Sequence, residues 1–466
     1  LREIPIRITD PYNEVDIAAS RRKILEKYNK KGFLNTTVTV DIKKNDTFAD
    51  IIFYIDEGDI TYFGKSVIVG NEKTKYEVIK RGLIKKESSP FDYSILMKER
   101  QRLHRVGLFS DIDIKALDQE DSKRDVLYKL SEAKAGAIEI AIGYAEYERF
   151  RGLFDISYRN LWGLNKYGSF RTELSTLEQR LILTYLDQYF IDERTHLKSA
   201  LLYENKKEIN IDTKEMRYRV KRTSASIGIE RELNELLKAD LSYNFLATQT
   251  FDVKPDVILS REDTGTLIIS GIRTGLIYDS RDNPFDPKRG ILTGTSFTLA
   301  SNIFFSETDF AKLIFYFNNY QSLSKRIVLA FSLKGGIAQG FRKTRELPLT
   351  ERFFLGGRTT VRGFQQDTLG PKGADGTPIG GNSFGMASLE LRTEVGKGLG
   401  IVGFLDAGNV WLKTKDIDIN DIRYTTGLGL RYTTPVGPIR IDYGHKLDKK
   451  RGESRGEIHF SIGHAF

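Results

Sequence analysis

Arg423-Tyr424-Thr425-Thr426-Gly427-Leu428-Gly429-Leu430-Arg431-Tyr432 decides how this chain folds. Tyr424, Thr426, Leu428, Leu430 and Tyr432 share one parity, and Arg423, Thr425, Gly427, Gly429 and Arg431 the other. Successive side chains of a strand point to opposite faces, so one face here is apolar and the other small or basic. The pattern recurs where Ile327, Leu329, Phe331 and Leu333 alternate with Val328, Ala330, Ser332 and Lys334. It recurs again where Ile439, Ile441 and Tyr443 alternate with Arg440, Asp442 and Gly444, and where Met216, Tyr218 and Val220 alternate with Arg217, Arg219 and Lys221. These segments run to about ten residues or more, whereas strands of soluble sandwiches average about five or six. Long strands with terminal aromatics predict a transmembrane β-barrel, apolar outside, with its Arg, Lys and Gly on the lumen face.

Working outward, sixteen such segments follow residue 135. They lie near 137–147, 149–161, 166–177, 179–190, 194–206, 213–231, 236–250 and 265–279, then 291–301, 308–323, 325–340, 381–396, 399–413, 421–435, 436–447 and 455–466. An even count returns both barrel ends to one side. Sixteen strands enclose a lumen that wall side chains alone do not fill. The candidate plug is 341–380, the long connection after the eleventh strand and hence the sixth on the outer side. Long loops in compact architectures are usually functional.

Before residue 135 the periodicity is mixed. Residues 59–134 read as a β-α-α-β-β unit, with helices near Tyr76–Leu83 and Asp92–Val106 and strands near Asp111–Ala116 and Asp125–Leu130. Residues 1–58 read as the same unit without its opening strand and helix. A repeat of this kind, with no catalytic constellation, predicts stacked binding modules. The chain opens Leu1-Arg2-Glu3-Ile4-Pro5, with neither a starting Met nor a signal peptide, and reads as an N-terminally truncated piece.

Composition narrows the chemistry. Among 466 residues there is no Cys, which excludes thiolate catalysis, disulfides and Cys-ligated zinc. Lys and Arg number 72 against 63 Asp and Glu, an excess of 9 that is mild for the length and does not point to nucleic acid. The five His are scattered, with no G-x-S-x-G elbow, H-E-x-x-H or calcium loop. No catalytic residue, metal or other cofactor is expected, and the chain is read as a non-enzyme. A passive porin would not need the appended modules.

Four motifs then occur in order. They are Asp279-Ser280-Arg281-Asp282-Asn283-Pro284 leading to Gly290, Val361-Arg362-Gly363-Phe364, Gly403-Phe404-Leu405-Asp406-Ala407-Gly408, and a last strand ending in Phe466. With them the chain resembles the BamA/TamA-type outer-membrane assembly and translocation superfamily, POTRA modules at 1–58 and 59–134 and a barrel at 135–466. The resemblance implies a bacterial outer-membrane location with the POTRA modules in the periplasm. It implies that Arg362 of the loop reaches an inner-wall carboxylate, Asp406 first and Glu390 in reserve, with Val361, Gly363 and Phe364 completing the loop motif. Parity independently sets Asp406 opposite the Ile401, Gly403 and Leu405 face. The resemblance also implies a lateral seam between the first strand, with Ile140 and Gly143, and the last, with Phe460, Gly463 and Phe466. Glycine weakens strand pairing, and an open seam would template an incoming strand by β-augmentation. Implied partners are unfolded outer-membrane proteins, outer-membrane lipids and periplasmic or lipoprotein accessory subunits at the POTRA modules. Two functions remain open: insertion and assembly of β-barrel proteins, or a polypeptide secretion pore of two-partner type.

Overall fold

The computed structural model describes the chain apart from residues 1–3, 9, 118–121, 146–148, 210–214, 255–262, 285, 374–375, 397, 435–436 and 463–466. It divides into two compact units, one N-terminal and one holding most of the barrel.

In the N-terminal part, helix α1 (Glu14–Asn29) starts where the Asn13 side chain accepts the Val15 N–H at 2.9 Å. Strands β1 (Thr37–Lys44) and β2 (Ala49–Asp56) follow as an antiparallel pair. The second module has β3 (Tyr62–Val69), α2 (Tyr76–Gly82), α3 (Tyr93–Val106), β4 (Phe109–Leu117) and β5 (Lys123–Glu132). Its sheet order is β3-β5-β4, with β3 and β5 parallel and β4 and β5 antiparallel. Asp92 caps α3 by accepting the Ser94 N–H at 2.7 Å, and Gly107 ends the helix in the left-handed region at φ 73°. The apolar stripe of α3 (Leu96, Leu103) closes over Phe63, Ile79, Phe91, Ile112, Val126 and Leu130. One charge sits inside this core. Glu99 accepts the Ile84 and Lys85 N–H groups at 2.5 and 2.7 Å and the Tyr128 hydroxyl at 2.6 Å. Burial and that carboxylate push the Tyr128 hydroxyl well above its ordinary pKa.

The barrel has sixteen antiparallel strands, as the periodicity predicts. They begin with β6 (Gly136–Ala145), β7 (Arg149–Leu161), β8 (Lys166–Ser175) and β9 (Glu178–Asp187). Next come β10 (Thr195–Ile209), β11 (Met216–Glu232), β12 (Leu237–Phe251) and β13 (Gly265–Asp279). Then β14 (Gly290–Ala300), β15 (Phe310–Ser322), β16 (Ile327–Gly340) and β17 (Ser383–Gly396) follow. The last four are β18 (Leu399–Trp411), β19 (Arg423–Thr434), β20 (Gly437–Lys446) and β21 (Gly456–Ile462). Closure is made by β21 against β6, with Ser461 opposite Ala145 and Ile462 opposite Tyr144. No described helix is long and apolar enough to cross a membrane, so the crossings are made by strands.

Parity holds around most of the wall: Leu389, Leu391, Ile401, Leu405, Leu428 and Leu430 are exposed outward, while Asp406 and Asp442 are buried inside. One segment reverses the expectation. Tyr218 and Val220 are buried, Arg219 and Lys221 lie on the other face, and Arg217 at the strand's end donates Nη2 to Thr377 Oγ1 of the 341–380 connection at 2.9 Å. β10, β11 and β12 run to 15, 17 and 15 residues, longer than the about 9–11 needed to span. Their outer ends therefore project into water, where basic side chains belong outside and an apolar pair packs inward.

The Asp279–Gly290 turn between β13 and β14 is held by its acids. Arg281 donates Nε and Nη2 to the two Asp279 oxygens at 2.9 and 2.8 Å. Asp282 Oδ1 accepts the N–H groups of Asn283, Lys288 and Arg289, and those backbone bonds, led by Arg289 and Lys288, hold its carboxyl below the usual range.

Candidate functional site: the loop that fills the lumen

The connection between β16 and β17 enters the barrel rather than leaving it. It first anchors to its own base, where the Phe353 and Gly381 backbones exchange hydrogen bonds at 2.8 and 3.0 Å and the Phe353 ring packs on Phe384 at 4.7 Å. Leu355, Val361, Phe364 and Leu369 then form a dry cluster with Met386 and Val410 of the wall. This cluster fixes where the next polar residue must go.

Arg362 is 4% exposed and Asp406 is fully buried. Arg362 donates Nε to Asp406 Oδ2 and Nη2 to Oδ1, both at 2.7 Å, and its backbone N–H reaches Oδ2 at 3.1 Å. Its Nη1 meets Glu390 Oε1 at 2.7 Å, and Nη2 reaches Ser388 Oγ at 3.2 Å. Both carboxylates named from the sequence are therefore engaged at once. The bidentate fork suits a planar guanidinium, and Lys could not reproduce it. Arg392 completes the charge count, its Nε 2.8 Å from Glu390 Oε2, so two guanidinium groups face two carboxylates. Below lies Phe404, its ring centroid 3.6 Å from the Arg362 guanidinium carbon.

Gly363 turns the chain through the left-handed region at φ 96°, which only glycine adopts without penalty. The turn lays its backbone on Gly444 of β20, where an added Cβ would strike the Gly363 nitrogen. The Gly363 N–H then donates to Nε2 of His459 on β21 at 3.2 Å. Phe364 follows, its ring flanked by Arg423 at 5.0 Å and Lys446 at 4.6 Å. Sequence reasoning missed His459, Ser388, Phe404 and Gly444. Parity already set His459 on the inner face of the last strand, and that was the signal available.

At the seam, Ile140 is strongly exposed outward and Gly143 is buried. Phe460 lies 6.1 Å from the Tyr144 ring across the closure. Gly463 and Phe466 lie outside the described residues. Thus Arg362, Asp406 and Glu390 come together, while the loop meets the last strand, which bears the described seam residue Phe460, at His459.

Residues 160–466 match the family profile described as the Omp85 superfamily domain. The chain belongs to the Omp85 superfamily. Residues 1–58 and 61–133 match a POTRA profile, the surface antigen variable number repeat. Relatives include the outer membrane protein assembly factor BamA of Neisseria meningitidis serogroup B, 26% identical over 98% of this chain and 63% of that protein. BamA of Nitratidesulfovibrio vulgaris is 24% identical over 98% of this chain and 58% of its own length. Sorting and assembly machinery component 50 homolog A of Xenopus laevis is 24% identical over 78% of this chain and 77% of its own. The chain thus spans about three fifths of the BamA relatives it matches. Among solved structures, BamA from Haemophilus ducreyi lacking POTRA domains 1–3 superposes with a TM-score of 0.84 at 20% identity, covering 98% and 95% of the two chains. CdiB from Acinetobacter baumannii gives 0.55 at 15% identity, covering 96% and 80%. As an Omp85 protein the chain is an outer-membrane β-barrel with its POTRA modules in the periplasm. The loop of 341–380 is then the sixth on the outer side.

Proposed function

We propose that this protein inserts and assembles β-barrel proteins into the outer membrane, templating strands at the seam between β6 and β21. The reading is supported by the assembly factors among its relatives. The observation that carries it is the docking of the sixth outer loop. Arg362 fastens the loop to β17 and β18, and Gly363 fastens it to β21, the strand that closes the barrel. A loop tied to the closing strand can hold the seam shut or release it. An open seam exposes unpaired backbone groups, which accept a strand by hydrogen bonding without demanding one sequence.

The Arg362, Asp406 and Glu390 set acts as the loop-to-wall lock, with Val361, Gly363 and Phe364 seating it. The POTRA modules receive unfolded substrate or periplasmic accessory subunits, and no step of this function is enzymatic. Because the chain lacks Cys, a disulfide between Ala145→Cys and Ser461→Cys tests the seam cleanly. Locked protein should fold and fail to insert substrate until reduced; full activity while locked overturns the gate. Depletion separates the secretion alternative, since losing one exported protein, rather than many barrel proteins, would favour the pore.

A further inference from the structure

The connection from β14 to β15, residues 301–309, is an outer loop that folds down the outside of the barrel. Even-numbered residues of β13 face outward, as exposed Thr274 and Leu276 show, yet Ser270 of the same parity is 1% exposed. The loop covers it. Ser270 Oγ donates to the Phe304 carbonyl at 2.5 Å, and the hydroxyl of outward-facing Tyr243 on β12 donates to the same oxygen at 3.1 Å. Glu307 extends the attachment: its N–H donates to the Ile268 carbonyl at 2.9 Å, and its carboxylate accepts the Ile268 N–H at 2.7 Å.

The loop also pairs much of its own backbone. Phe304 N–H and Ser306 N–H donate to Ser301 O at 2.8 and 3.2 Å, and Phe305 N–H donates to Asn302 O at 3.1 Å. Asp309 Oδ1 accepts the Asn302 N–H at 3.2 Å and the Ser301 hydroxyl at 2.7 Å. Irregular backbone at a barrel's outer wall is tolerable in lipid only when its polar groups are paired in this way. The tip is apolar. Ile303 is 69% and Phe305 81% exposed, against 42% and 45% for the wall residues Leu389 and Leu391. Phe305 stands in the left-handed region at φ 69°. Arg342 bonds Ser301 Oγ, Asn302 Oδ1 and Asp309 Oδ1 at 3.0, 2.8 and 3.4 Å, a cation at the base of the loop.

Height places this tip in lipid. Tyr243 is the seventh residue of β12 from its periplasmic end. At about 3.4 Å per residue and a tilt of about 40°, it lies about 16 Å up an apolar band about 25 Å tall, and Ser270, the tenth residue of β13 from the same side, about 23 Å up. We propose that loop 301–309 is an outer-leaflet anchor, clipped to β12 and β13, that inserts Ile303 and Phe305 among the lipid acyl chains. The barrel is thereby oriented in the bilayer beside β14, whose 11 residues make a short stretch of wall.

The test uses single cysteines in the intact chain, which has none of its own. Ile303→Cys and Phe305→Cys, each labelled with an environment-sensitive fluorophore, are reconstituted in phosphatidylcholine vesicles. Lys450→Cys, at an exposed site in the 447–455 loop, is the aqueous reference. Phospholipid carrying a nitroxide near the top of its acyl chain should extinguish most of the signal at 303 and 305, with iodide having little effect. At 450 the two quenchers should exchange roles. Quenching of 303 and 305 by iodide as strongly as 450 would put the loop in water and overturn the proposal. Protection from both quenchers would show a protein surface, another subunit or a second copy, covering the tip, and would overturn it equally.

Discussion

Gly363 of the sixth outer loop donates its N–H to Nε2 of His459, on the strand that closes the barrel. The accepting nitrogen carries no proton, so the neutral ring holds its proton on Nδ1. This hydrogen bond joins the loop to the seam strand, while Arg362 one residue earlier holds the loop to β17 and β18.

Removing that bond should loosen the seam without unseating the loop. His459→Ala leaves the Gly363 N–H without its partner, a cost of about 1–3 kcal/mol for a buried donor. The expected result is slower disulfide formation between Ala145→Cys and Ser461→Cys, with protease resistance of 341–380 retained. His459→Gln keeps an acceptor and should restore much of the wild-type rate. Equal rates in all three proteins would show that the bond does not couple loop and seam.

Removing Arg362 should do the opposite, unseating the loop while the barrel still forms. Arg362→Ala strands Asp406, which is fully buried, and breaking one partner of a buried pair costs about 3–5 kcal/mol. Arg362→Lys keeps the charge but loses the two-pronged contact with Asp406. Limited proteolysis within 341–380 should rank wild type, Lys and Ala in order of increasing cleavage. Unchanged cleavage with wild-type assembly activity would remove the lock from the reading.

Much of this was legible in the sequence because strands report their faces residue by residue. The sixteen segments, the plug and the inward parity of Asp406 all follow from period two. What the sequence hid depends on pairs distant in the chain. Ser388 and Asp406 become neighbours only through the β17–β18 register, and Gly444 meets Gly363 only once the loop has turned inward. The reversed parity at Tyr218 and Val220 was hidden for another reason. Alternation marks two faces, but which face meets lipid depends on where the strand leaves the membrane, and that height is not written in the pattern. The 301–309 clip was concealed similarly, since Ser270 and Tyr243 look like ordinary outward hydroxyls until the loop covers them.

A pH dependence follows at the last outer loop, 447–455. Arg423 donates Nη1 and Nη2 to the Glu453 oxygens at 3.0 and 2.8 Å and Nε to Asp448 at 2.7 Å. The Arg423 hydrogen bond, with the Lys450 N–H and the Arg423 charge, holds the Glu453 carboxyl at about 2, down from 4.5. A depressed folded-state value stabilises the loop fully above the ordinary one and loses that effect as pH falls towards about 2. Hydrogen-exchange protection of the Lys450 and Glu453 amides should therefore fall as pH drops from 4.5 to about 2. In Glu453→Gln these amides should already be poorly protected at neutral pH and show little further change.

The second POTRA module offers a stability test independent of the membrane. Glu99 is the shared acceptor for the Ile84 N–H, the Lys85 N–H and the Tyr128 hydroxyl, with no exposure to water. Each donor left unpaired by Glu99→Ala costs about 1–3 kcal/mol, and the truncation opens a void against α3 as well. Glu99→Gln retains one carbonyl oxygen and the shape, and should cost less. Tyr128→Phe removes one donor and leaves the carboxylate its two backbone partners, so it should be milder still. Native-state hydrogen exchange of α3 and β5 in the intact chain gives the ordering directly. If Tyr128→Phe proves as damaging as Glu99→Ala, the hydroxyl rather than the two backbone amides is what justifies a charge in this core.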